Sequence, residues 1–149
     1  MNIGTINSLG KRAIGTRCFE WRPGMLVLGK ESFRIVSLSQ GYAVALDQQN
    51  ASFIGKLASG SSFTQVLDDS FFSDIIPDCS DPATIGCLLY LVRQLYEMPT
   101  IWTVERDGIW YTCWSGATHG GVLGSGASEA EALVSALEDF DYSTNEVKK

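Results

Sequence analysis

The sequence predicts an α+β domain: an N-terminal antiparallel β-meander, a central buried helix, a β-hairpin and a C-terminal amphipathic helix. Three observations carry that expectation. Short β-rich runs separated by turn residues fill residues 17 to 66, Asp81-Pro82 opens a long apolar segment at helical spacing, and Asp107-Gly108 sits between two strand-like runs.

The elements follow in order. Residues 1 to 16 are polar and glycine-containing, with few apolar positions to order them, so a flexible arm or an edge element is expected and order should begin near Arg17. The meander comprises Cys18 to Trp21, Met25 to Gly29, Phe33 to Leu38, Tyr42 to Leu46, Phe53 to Leu57 and Phe63 to Val66, with turns such as Pro23-Gly24 and Gln40-Gly41 between them. The gaps are too short for parallel crossovers, which need a dozen or more residues.

Asp81 before Pro82 is an N-cap followed by proline at the first helical position. Ile85, Leu88, Leu89, Val92, Leu95 and Tyr96 then recur at three- and four-residue spacing, and Cys87, Tyr90 and Leu91 widen the apolar surface, so this helix should be buried on more than one side. Gly86 in its first turns suggests close approach of a neighbour. The hairpin runs Ile101 to Glu105 and Ile109 to Trp114, with Trp102 and Val104 on one face and Ile101, Thr103 and Glu105 on the other. After a connecting loop from Ser115 to Ala127, Ser128 with Glu131 forms a capping box. Ala130, Leu133, Val134, Leu137 and Phe140 stripe the last helix, which should end near Asp141, leaving a solvated tail from 142 to 149. A single domain over residues 17 to 141 fits this length better than two small units divided near Asp78.

Composition narrows the function classes. The chain has 149 residues, 45% of them apolar, with no run of about 18 apolar residues to span a bilayer. Lys11 and Arg12 interrupt the start before any apolar block forms, so a signal peptide is not expected. Cys18, Cys79, Cys87 and Cys113 are widely spaced, which reads as free, mostly buried thiols, and with His119 the only histidine no metal site is expected. The net charge of −6 is unevenly distributed: seven basic residues face three acidic ones in residues 1 to 56, against two and fourteen in residues 57 to 147. Such lopsidedness suits a phosphate-bearing partner at the basic end, a basic partner at the acidic end, or self-association between unlike ends; intermixing in the fold would leave it a matter of solubility.

Motifs for chemistry are weak. Gly120-Gly121-Val122-Leu123-Gly124-Ser125-Gly126 stands where a phosphate loop would, but its spacing matches neither phosphate-loop pattern, no lysine follows, and Glu129 and Glu131 occupy the helix start, so it reads as a flexible connector. His119 as a general base would need Ser115, Ser125 or Cys113 as nucleophile and Asp107 as orienting group, and no nucleophile motif brings them together. Asp68, Asp69, Asp74, Asp78 and Asp81 are explained by capping and turns. No catalytic residue, cofactor or enzymatic activity is expected. Two binding surfaces stand as candidates: Arg17, Arg22, Lys30 and Arg34 for a nucleotide or nucleic acid, and Trp102, Trp110 and Trp114 for a protein partner if they share a sheet face. The alternative for the tryptophans is core packing over the C-terminal helix.

Three segments resemble a group of small proteins of tailed bacteriophages and prophages: Trp21-Arg22-Pro23-Gly24-Met25, the run from Asp81-Pro82-Ala83-Thr84-Ile85-Gly86-Cys87-Leu88-Leu89 to Arg93, and Ser128-Glu129-Ala130-Glu131-Ala132-Leu133-Val134. The resemblance implies a setting, the cytoplasm of an infected bacterium, and no particular activity. In that setting the expected function is a non-enzymatic binding protein that binds or inhibits a host component, such as a defence protein. The alternatives are a protein that sequesters a nucleotide or nucleic acid through the basic N-terminal third, and a virion or assembly accessory protein. No membrane association is expected, and homo-oligomerisation stays open.

Overall fold

The computed structural model describes residues 1–29, 32–39, 42–46, 75–115 and 120–142. These form three helices and two antiparallel sheets, an α+β architecture. The expected strands at Phe53 to Leu57 and Phe63 to Val66, together with Lys30, His119, Asp68, Asp69, Asp74 and the tail beyond Tyr142, lie outside the described residues.

The chain begins in a helix, α1 (Ile3–Gly15), which corrects the expectation of a flexible arm. Asn2 caps it, its Oδ1 accepting from the Thr5 backbone N–H at 2.8 Å. Ile6, Leu9, Gly10 and Ala13 make a narrow buried stripe at three- and four-residue spacing. Gly10 is what lets α1 lie down: a Cβ there would stand 2.9 Å from the Pro77 carbonyl oxygen and 3.0 Å from the Ile76 side chain. Arg12 then clasps the last helix, with Nε and Nη2 donating to the two Glu138 carboxylate oxygens at 2.9 and 2.8 Å and Nη1 to Glu131 at 3.2 Å.

Residues 18 to 21 are irregular rather than the expected strand. Nearby backbone donors close turns: Met25 N–H donates to Arg22 O at 3.1 Å and Gly24 N–H to Ile35 O at 2.8 Å, with Gly24 at φ +100°. Phe19 and Trp21 pack edge to face at 5.1 Å beside the core. The first sheet follows, with β1 (Leu26–Leu28), β2 (Phe33–Ser39), β3 (Tyr42–Leu46) and a two-residue β4 (Ile76–Pro77) in the order β3-β2-β1-β4. A bulge interrupts the β2–β3 register between Ile35 and Ser37. Strand β4 is too short to show any alternation in sequence, and its proline suits the edge it occupies.

Helix α2 (Pro82–Tyr96) starts at the expected cap and stops at Glu97, whose φ of 55° is left-handed. Leu88 and Val92 are fully buried and Leu91 nearly so, whereas Tyr90 is exposed. Gly86 faces open space among the described residues: a Cβ at this position would meet none of them within 4 Å, so none of them explains the glycine. Arg93 Nε donates to Ile101 O at 2.8 Å and ties the helix end to the second sheet.

That sheet consists of β5 (Trp102–Arg106), β6 (Ile109–Ser115) and β7 (Gly120–Gly126) in sequential order. The hairpin turn is Asp107-Gly108 at φ 56° and 80°, the pair of positive values that a two-residue type I′ turn requires. Strand β7 corrects the expectation of a flexible connector: six of its residues pair with β6, with a bulge opposite Thr112 and Cys113. Helix α3 (Glu129–Glu138) crosses it, opening at Ser128, whose Oγ accepts from Glu131 N–H at 3.2 Å. Glu131 reaches back to the Ala127 N–H at 2.9 Å, one residue beyond the expected box. The helix ends at Glu138, three residues short of the expectation. The shared core joins α1, both sheets and the two later helices through Leu9, Val27, Ile35, Leu88, Ile101, Leu133 and Leu137, with half-buried Trp114 and Leu123 of the second sheet packed against it.

Candidate interaction surface

The glycines of β7 explain how the second sheet acquires one covered and one open face. A Cβ on Gly124 would collide with the backbone of α3 at Ala132 O and Ala136 N, and one on Gly126 with Glu131 and Ala132 N. Both residues sit opposite β6 side chains that face the helix, Gly124 across from Thr112 and Gly126 across from Trp110. Helix and strand therefore touch backbone to backbone, with fully buried Ala132 and Ala136 on the helix side.

Strand pairing then assigns every side chain to a face, since directly opposed residues share one. Trp102 stands opposite Cys113, Val104 opposite Tyr111 and Arg106 opposite Ile109. Cys113 in turn stands opposite Val122, and Tyr111 opposite Ser125. These residues make up the outer face. Thr103, Glu105, Trp110, Thr112 and Trp114 belong to the face under α3, where Thr103 Oγ1 donates to Glu129 at 2.6 Å. The three tryptophans consequently do not form one platform: Trp102 is outside, while Trp110 and Trp114 alternate with Tyr111 and Cys113 and point to the helix side. Expectation and structure agree on the facing of Trp102 and Val104; the shared face with Trp110 and Trp114 fails because 102 pairs with 113, an odd number of residues from both.

The outer face is apolar and wet. Trp102 is 39% exposed, Ile109 44% and Val122 59%, with half-buried Val104, Tyr111 and Cys113 between them. Single exposed apolar residues are ordinary; here three exposed and three half-buried apolar residues adjoin on one sheet face.

Of the basic candidates, Arg17, Arg22 and Arg34 are among the described residues, and each has a partner within the chain. Arg34 forms a two-pronged ion pair with Asp81, at 2.8 and 3.0 Å, and also donates to Gly24 O at 2.6 Å. Asp81 accepts from Thr84 N–H at 2.8 Å and from its hydroxyl at 2.9 Å, and the buried Thr84 Oγ1 accepts from Leu26 N–H at 2.9 Å. The Arg34 guanidinium holds the Asp81 carboxyl below its usual range, against the opposing effect of burial. Arg34 is thus a bolt between β2 and the start of α2. Arg22 lies over the Tyr90 ring at 3.8 Å in a shallow cleft of about 310 Å³ that also includes Cys18, Glu20 and Gln94. Arg17 lies over Tyr142 at 4.4 Å, in a different cleft of about 470 Å³ lined by Arg12, Glu138 and Phe140. Arg17 and Arg22 open onto separate clefts, whereas Arg22 and Arg34 both lie within electrostatic reach of Cys87.

Reactive chemistry is equally scattered. The four cysteines are free, as expected, but only Cys79 is buried, which corrects the expectation of mostly buried thiols. Burial pushes Cys79 up to about 12, and burial likewise raises Cys87, whose Sγ lies 3.5 Å from Pro23 O. Among the described residues no three His, Cys, Asp or Glu side chains converge in the manner of a metal site. No helix among them is long and apolar enough to cross a membrane. Comparison of the chain with family models, with curated proteins and with solved structures gives no match.

Proposed function

We propose that this chain is a non-enzymatic binding protein of a tailed bacteriophage, which holds and inhibits a host protein through the outer face of the β5–β6–β7 sheet. The observation that carries the reading is the adjoining apolar row of Trp102, Val104, Ile109, Tyr111, Cys113 and Val122 on a sheet whose opposite face is covered by α3. Such a surface suits a protein partner with an apolar patch of its own, and an exposed tryptophan is a common anchor at interfaces. The phage and host setting rests on the resemblance of the segments beginning at Trp21, Asp81 and Ser128. Sequestration of a nucleotide has less support, because Arg34 is already bonded within the fold and Arg17 and Arg22 open onto separate clefts.

The test is affinity capture from host lysate with the wild-type chain and with Val122→Asp side by side. Val122 is the most exposed apolar residue of the face, so the charge disturbs the surface without entering the core. A stoichiometric host protein retained by wild type and lost by Val122→Asp is expected. Equal retention by both chains, or no stoichiometric partner, contradicts the proposal, and recovery of the chain in purified particles would favour a virion role instead.

A further inference from the structure

Among the described residues, strand β5 is an outermost strand of its sheet, and its register makes it complementary to itself. The type I′ turn fixes which backbone groups are committed. In a two-residue hairpin the closing pair, here Arg106 and Ile109, exchanges both hydrogen bonds, and such pairs alternate along the ladder. Arg106, Val104 and Trp102 therefore direct their N–H and C=O groups to β6, while those of Thr103 and Glu105 point to the open edge.

We propose that β5 pairs antiparallel with β5 of a second copy of this chain about a two-fold axis at Val104. In that register Thr103 and Glu105 of each copy exchange backbone hydrogen bonds, and Val104 meets Val104. On the outer face Trp102 of one copy stands across from Arg106 of the other, a cation over an indole ring. Among the described residues neither Trp102 nor Arg106 has an ion pair or ring contact within its own chain. The other registers are worse. Sliding two residues toward the turn sets Glu105 against Glu105, a like-charge pair, and sliding the other way leaves Arg106 without a partner. Only the register centred on Val104 pairs all five residues of the strand with no like charges opposed. Two-fold pairing also keeps both outer faces on one side, so the apolar surface becomes continuous over six strands.

A five-residue strand pair is smaller than a standard interface of roughly 1,200–2,000 Å² in total, so the dimer should be reversible and concentration-dependent. Sedimentation equilibrium of the full chain over a wide concentration range is expected to show the average mass rising about twofold, from monomer to dimer. Val104→Lys and Val104→Glu, each alone, place like charges on the axis and should remain monomeric; an equimolar mixture should regain dimers. That rescue separates a surface effect from misfolding, and Arg106→Glu, at an exposed position, gives a second weakened variant if either charged form fails to fold. A wild-type chain that stays monomeric throughout, or a Val104→Lys chain that dimerises like wild type, overturns the inference. A monomer that still captures a host protein would do so while leaving the proposed binding function intact.

Discussion

Where β2 of the four-stranded sheet meets the start of α2, Arg34 reaches across to Asp81, and Thr84 passes the connection on to the Leu26 backbone. Where β7 of the three-stranded sheet meets α3, the strand presents no side chain at Gly124 or Gly126, which lets the helix down onto it. The first junction is held by directional, charge-assisted hydrogen bonds and the second by close packing over missing side chains. One can be weakened by pH or by removing a charge. The other is indifferent to both but fails on adding a single carbon. The two junctions also differ in what they leave exposed: the charged groups of the first are bonded internally, while the second, by covering one face with α3, leaves the apolar outer face of the sheet open to solvent.

Four expected outcomes probe that contrast, from the largest to the smallest. Gly124→Val forces α3 off β7 and should cost about 3 kcal/mol, the upper range for overpacking a close contact, measured as a lower midpoint in denaturant unfolding. Arg34→Ala leaves the largely buried Asp81 carboxylate without its cation and should cost about 2 kcal/mol, less than Gly124→Val because Thr84 still donates to the carboxylate.

The third outcome is a two-sided pH profile. Arg34 holds Asp81, and Arg12 holds Glu138, below the usual carboxylate range in the folded chain. Their stabilisation is present above the unfolded value, about 4, and is lost as pH falls through the lower folded value; in Arg34→Ala the Asp81 share of that acid loss should shrink to what the Thr84 hydrogen bonds supply. Cys79 shifts the opposite way, from 9.0 to about 12, so its contribution is complete below 9.0 and declines as pH rises toward 12. Thermal midpoints across pH read both limbs. The smallest effect is a gain: among the described residues Gly86 faces open space on α2, so Gly86→Ala should stabilise by about 1 kcal/mol through helix propensity alone. A loss there would reveal a neighbour pressing on that helix face.

Legibility in the sequence follows the same division. Asp81-Pro82, Asp107-Gly108 and Ser128 through Glu131 act over a few residues, and each lies at a helix start or turn as expected. The glycines mislead because their role depends on distant neighbours. Gly10 makes room for Pro77 and Gly124 for Ala132 and Ala136, so α1 reads as a loose arm and β7 as a loop. A local signal exists in both cases: Ile6, Leu9 and Ala13 behind the Asn2 cap, and glycines two apart at 124 and 126, the period of one strand face. The tryptophan surface is half legible. Composition draws attention to the hairpin, but register alone places Trp102 outside and Trp110 and Trp114 beneath the helix, because shifting a strand by one residue inverts its faces. For the basic candidates, sequence does not disclose that Arg34 already has a carboxylate in reach or that Arg17 and Arg22 open onto separate clefts.

The division between a covered and an open face is tested most directly by oxidative footprinting of the tryptophans, free and in the captured complex. In the free chain Trp102 should oxidise faster than Trp110 and Trp114, and in the complex Trp102 should be protected selectively. Protection that falls elsewhere on the chain, with Trp102 oxidising at its free rate, would contradict the assignment of the outer sheet face as the binding surface.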